Sequence, residues 1–244
     1  LQNQFQVIHH IDLLLAQQDE PDGGQARLAR ARGHIRFEEV SICNYSSSRS
    51  PLFNLTLTIQ SGEIVALASS SDDREKTLTD LIARFIRPTN GRILLDDIDI
   101  ATIKLTDLRA NIAWLTPDIR LLNDTIAANI AYGTTRCATE ASIMKAARTC
   151  HVTEFAREML HGLQTRIGLK DVELAENQRQ CIIIARALLK NPAIVIIDET
   201  TAVFDTHCPL VDDALDTLIR NRTTLIISSQ PDMLGKAHRI IKLT

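Results

Sequence analysis

No glycine interrupts the chain between Gly62 and Gly91. The gap excludes from that stretch a tight turn whose successive amides converge on one anion, because such a turn needs backbone angles and close approaches that a side chain obstructs. The five cysteines (Cys43, Cys137, Cys150, Cys181, Cys208) are odd in number and form no CxxC pair, which argues against a disulfide framework or a zinc site and favours a reducing compartment. No run is long and apolar enough to cross a bilayer. A net charge of −3 leaves neither a basic field nor an acidic tail. Arg27, Arg30 and Arg32 beside Gly23-Gly24 therefore read as a solvated linker rather than a nucleic-acid patch, and no nucleic-acid partner is expected. What is present suits one large α/β domain with a full core: 244 residues, 45% of them hydrophobic.

Residues 192–205 are the most informative stretch. Ala193 to Ile197 are apolar without alternation, as in a central parallel strand covered on both faces. Asp198 and Glu199 follow at its carboxyl end, where open α/β sheets bind their ligands. Further buried strands are expected at 63–68, 223–228 and 239–243, and a helix at 77–87 closed by Pro88. Alternating residues 34–42, 55–59 and 91–96 read as half-buried strands, and 106–178 as several short helices. The expected architecture is a mixed core sheet, an antiparallel part over 34–98 and a helical part within about 118–178. Phe5, Ile8, Ile11, Asp12 and Leu15 stand at helical spacing, and Glu20-Pro21-Asp22-Gly23-Gly24 reads as a helix stop and flexible joint. An isolated amphipathic helix packed on the core fits the same periodicity nearly as well.

Gln178-Arg179-Gln180 leading into Ile182–Leu189, just upstream of the Asp198-Glu199 strand, resembles the helix that follows the signature motif of ABC-transporter ATPases. The run Asn123–Gly133 is similar to the start of the helical subdomain in bacterial lipid-flippase-type and multidrug ABC exporters. The resemblance spans about 33–244 and implies an α/β P-loop NTPase (ABC ATPase) core with an antiparallel β subdomain and an α-helical subdomain. Residues 1–32 become a linker helix and joint from a transmembrane domain of the same longer chain, an expectation that the start at Leu1 without a signal-peptide pattern supports. Also implied are ATP and magnesium as cofactors, pairing with a second ABC domain as a homo- or heterodimer, and a place at the cytoplasmic face of the inner membrane. A detached ABC-type ATPase of DNA repair or translation is disfavoured by the linker and the Asn123–Gly133 run.

Registered on that anchor without gaps, the chain departs from the family at most points where the family touches ATP. The phosphate loop is Ser69-Ser70-Ser71-Asp72-Asp73-Arg74-Glu75-Lys76-Thr77, with the lysine position at Glu75 and the magnesium-binding hydroxyl position at Lys76. Sliding the motif so that Lys76-Thr77 serve instead turns the side chain by about 100° on the helix and leaves Asp72, Asp73 and Glu75 near a tetra-anion. Two unit charges about 4 Å apart at an effective dielectric of about 20 repel by roughly 4 kcal/mol. The adenine-stacking position holds Asn44, with Tyr45 beside it as a shifted substitute or a plain surface tyrosine. The glutamine sensor is Pro117, which has neither amide side chain nor backbone N–H. The signature reads Leu174-Ala175-Glu176-Asn177-Gln178, its hydroxyl gone and a carboxylate added, although a carboxylate there suits a helix N-terminus. The switch histidine is Ser229, and the exporter coupling segment is Ile167-Gly168-Leu169-Lys170-Asp171.

What the resemblance leaves in place is Asp198 to hold magnesium through water, Glu199 as general base, and Asp205 in the inter-subunit loop. A base without an oriented phosphate has nothing to act on, and Asp198-Glu199 can simply end a buried strand. The expectation is an exporter-type nucleotide-binding domain that binds ATP weakly or not at all and is deficient in hydrolysis. The alternative is a working ATPase domain that powers lipid or drug export.

Overall fold

The computed structural model describes residues 20, 22–43, 51–69, 72–116, 119–168, 172–200, 202 and 204–243. In chain order the elements are β1 (Ile35–Ile42), β2 (Leu52–Ile59), β3 (Ile64–Ser69), α1 (Asp72–Ile82), β4 (Asn90–Leu95), β5 (Ile98–Asp99), α2 (Leu105–Ala110) and β6 (Ile112–Leu115). There follow β7 (Asp124–Thr125), α3 (Ile126–Ile130), α4 (Glu140–Thr149), α5 (Val152–Ala156), β8 (Arg166–Ile167), α6 (Glu176–Lys190), β9 (Ile194–Asp198), α7 (Pro209–Ile219), β10 (Thr223–Ile227), α8 (Pro231–Gly235) and β11 (Arg239–Leu243).

Two larger sheets divide the strands. The core sheet has the order β11-β3-β10-β9-β6 and every neighbouring pair in it is parallel, so the expected mixed core sheet is corrected. The antiparallel strands form a sheet of their own, β2-β1-β4-β5. The separation has a physical reason: a parallel sheet is covered on both faces and takes strands without polar alternation, whereas β1 and β2 alternate and keep one face toward solvent. In β9 all five residues are buried. Val195 and Ile197 pack into a cluster with α4, α5, α6 and α7, while Ile194 and Ile196 pack into a second cluster with β1, β4 and α1. Burying each of these side chains is worth about 1.5–3 kcal/mol, which explains why the strand carries no polar residue before Asp198.

Helix α1 starts and stops five residues earlier than expected. Its end is set by Arg84, whose φ of 54° lies in the left-handed region, and not by Pro88. The Arg84 guanidinium donates to the carbonyls of Ile100, at 3.0 Å, and Ile103, at 2.7 Å, and to that of Asp22. The expected joint at Gly23-Gly24 is also corrected. A side chain at Gly24 would lie 1.9 Å from the Ile103 carbonyl oxygen. The amides of Gln25 and Ala26 both donate to Thr102 at 2.9 Å, and Ala31 donates to the Asn111 side chain at 2.8 Å. Close backbone contact, rather than freedom, accounts for the glycine there. The helix expected over residues 1–20 lies, apart from Glu20, outside the described residues.

Candidate functional site

The parallel order carries the carboxyl ends of β3, β6, β9 and β10 to one edge of the core sheet. That edge gathers the start of α1, Thr116, Asp198-Glu199 and Ser228-Ser229, because each follows directly on one of those strands. Ser70, Ser71, Tyr45 and Pro117 lie outside the described residues, as do Asn44, Leu169, Lys170 and Asp171.

Helix α1 opens at Asp72, and its described side chains begin with Arg74. Glu75 is buried at 6% exposure and Thr77 is fully buried, whereas Lys76 between them faces solvent. Arg74 Nη1 lies 3.5 Å from the Leu243 carbonyl. Among the described side chains near the start of α1, the inward ones are thus the Glu75 carboxylate and the Thr77 hydroxyl, and Lys76 stands on the outer face.

The two carboxylates ending β9 are both buried. Asp198 Oδ1 accepts the amide of Thr200 at 3.1 Å and its hydroxyl at 2.7 Å. Glu199 donates its amide to Ile227 at 2.9 Å and accepts the Phe204 amide on Oε1 at 2.7 Å, while Oε2 is buried without a hydrogen bond. Burial pushes the Glu199 carboxyl up from the ordinary carboxylate range, outweighing the Ser228 hydroxyl and the Phe204 amide, which favour the charged form. Ser229, at the switch position, is exposed. Its neighbour Ser228 receives the Gln230 amide at 2.9 Å, at the start of α8.

The residues of the signature position are on a different part of the molecule, at the N-terminus of α6. Ala175 is the N-cap, with φ −63° and ψ 156°, and offers no side-chain oxygen to the first turn. Gln178 reaches back to accept the Ala175 amide at 3.0 Å, and Asn177 accepts the Gln178 amide at 2.8 Å. Glu176 pairs with Arg179 at 3.7 Å. Asp205 belongs with this group. Its amide donates at 2.9 Å to the buried Gln180 of α6, and its Oδ1 accepts the Cys208 amide at 3.2 Å, ahead of α7. Beside the same helix end is a cleft of about 600 Å³ lined in part by Arg120, Ile167, Val172, Leu174 and Arg179. The roles of Thr200, Phe204, Gln180 and Ser228 were not read from the sequence. Their partners stand on other elements or are backbone atoms, and only the last strand-to-helix turn, with serine before proline, carried a local signal. Among the described residues no group of three or more His, Cys, Asp or Glu side chains is placed to hold a metal ion.

Residues 52–202 match the profile of a family described as ABC transporter. The chain is 45% identical over 232 residues to the ATP-dependent lipid A-core flippase of Nitrosococcus oceani, covering 94% of this chain and 39% of that protein. It is 42% identical over 223 residues to the flippase of the same name from Chromobacterium violaceum, covering 91% of this chain and 38% of the relative. The chain thus spans about two fifths of the length of the curated relatives it matches. Among solved structures, a bacterial Atm1-family ABC exporter with ATP bound superimposes with a TM-score of 0.79 at 29% identity, over 100% of this chain and 42% of that one.

Proposed function

The chain belongs to the ABC transporter family, and from that premise we propose that it is the nucleotide-binding domain of an exporter-type transporter whose ATP site is degenerate. The observation that carries the reading is the register of α1: Glu75 inward, Thr77 inward, Lys76 outward. A tetra-anion at the start of this helix meets a buried carboxylate where a cation is needed, and the slide that would recruit Lys76 finds it on the solvent face. These residues do not fit magnesium-ATP, so no catalytic step is assigned to Glu199 or Asp198. The relatives' names, ATP-dependent lipid A-core flippase, favour a lipid as the cargo of the whole protein. In this proposal residues 33–244 form the ABC ATPase-like domain and 1–32 the connection to a transmembrane domain of the same longer chain. The partner is a second ABC domain, and the location is the cytoplasmic face of the inner membrane.

Calorimetric titration of a magnesium-ATP analogue onto the protein tests the reading. The expected result is no binding in the low-micromolar range. A low-micromolar dissociation constant, lost on substitution within 69–77, overturns it and supports the alternative of a working ATPase domain for lipid or drug export.

A further inference from the structure

Among the described residues between the end of β9 and the start of α7, side-chain oxygens accept the backbone amides of Phe204, Asp205 and Cys208. Glu199 Oε1 accepts the Phe204 amide at 2.7 Å, and Gln180 Oε1 accepts the Asp205 amide at 2.9 Å. Asp205 Oδ1 then accepts the Cys208 amide at 3.2 Å, immediately before Pro209 opens α7. These acceptors come from three places: a strand end, the buried face of α6, and the connection itself. Both Glu199 and Gln180 are buried, at 7% and 2% exposure; the Phe204 amide is thereby satisfied where water has little access, and the Asp205 amide at the edge of that region.

We propose that Glu199 and Gln180 are positioning residues whose side-chain oxygens hold Phe204 and Asp205 and so set the path of the chain from β9 to α7, whether or not nucleotide binds. The inference does not rest on the reading of the ATP site. A carboxylate with this duty stays useful at the strand end even when no phosphate is presented to it.

Residue-resolved amide exchange by NMR, run without nucleotide, is the test. Glu199→Gln and Gln180→Glu keep an acceptor oxygen, whereas Glu199→Ala and Gln180→Met remove it. The acceptor-deleting variants should speed exchange at Phe204 and Asp205 by about tenfold, the population factor carried by one buried hydrogen bond, and the acceptor-keeping variants should restore protection. Ile196→Val, which loosens the core away from the connection, marks the pattern of a general loss of stability. Unchanged exchange in Glu199→Ala, equal acceleration in Glu199→Gln and Glu199→Ala, or acceleration spread evenly over the core strands would each overturn the proposal. Should Glu199→Ala not fold, the Gln180→Met and Gln180→Glu pair decides at Asp205 by the same criteria.

Discussion

Both ring nitrogens of His151 face carboxylates, Nδ1 toward Glu154 at 2.7 Å and Nε2 toward Asp213 at 2.8 Å. A neutral imidazole donates from one nitrogen only, so the pair of contacts favours the imidazolium. Burial opposes the charge, yet the hydrogen bonds that His151 donates to Glu154 and Asp213 prevail and hold its pKa above the ordinary 6.5. The stabilisation is therefore fully present below pH 6.5 and is lost as pH rises through the elevated folded-state value. With both carboxylates more than half exposed, the contact is worth about 1 kcal/mol or less. An NMR titration of the His151 ring should give a midpoint above 6.5, and Asp213→Asn should bring it down; an unshifted midpoint in the wild type would contradict the assignment. At this scale the sequence was hardly legible. His151 and Asp213 are 62 positions apart, and no local pattern joins them. The same holds for Gln180 and Asp205, where a glutamine inside a helix pattern signals only a polar residue until the fold brings the loop over it.

Helix α6 is apolar around most of its circumference, with Gln180 to Ala185 and Ala187 buried, and it sits among α3, α4, α5 and α7. At its N-terminus Gln178 accepts the Ala175 amide and Asn177 accepts the Gln178 amide, while Ala175 itself offers no side-chain oxygen. Ala175 already has extended backbone angles suited to an N-cap, so Ala175→Ser should add the missing acceptor for the first turn. The expected gain is about 1 kcal/mol, measured as a rise in the thermal unfolding midpoint; a fall would show that the serine rotamer is blocked. Elements were more legible than single contacts. The apolar runs of β3, β9 and β10 mark buried parallel strands because only a doubly covered strand tolerates such composition. The limits of α1 were misread because its stop is written in tertiary contacts: Arg84 turns left-handed while its guanidinium binds carbonyls up to 19 residues ahead. Pro88, the visible local breaker, comes after the helix has ended.

For the molecule as a whole, β9 is the partition between two apolar clusters, one built with the helices and one with the antiparallel sheet. Ile196 is fully buried in the second, and Ile196→Ala should cost about 2–5 kcal/mol through lost contacts and the cavity left behind. Urea unfolding measures it, and a loss under about 1 kcal/mol would mean that the site collapses around the smaller side chain. The family resemblance gave this architecture from sequence, but the strict parallelism of the core sheet escaped it, since which strands share a sheet is decided by pairings far apart in the chain. The strand order also sets a timetable. Ile64 of β3 pairs with Thr224 of β10, and Val65 with Arg239 of β11, so β3 has no neighbour in its own sheet until residues some 160 positions later leave the ribosome. At about 5–20 residues per second that wait is about 8–32 s. Of the antiparallel partners of β1, the strand at 52–59 precedes β3 in the chain and the one at 90–95 arrives early in that interval. The antiparallel strands share their apolar cluster with Ile194, Ile196 and Leu225 of the late strands, so throughout this wait both that sheet's inner face and β3 are uncovered, and it is in this interval that the nascent chain is most exposed to aggregation.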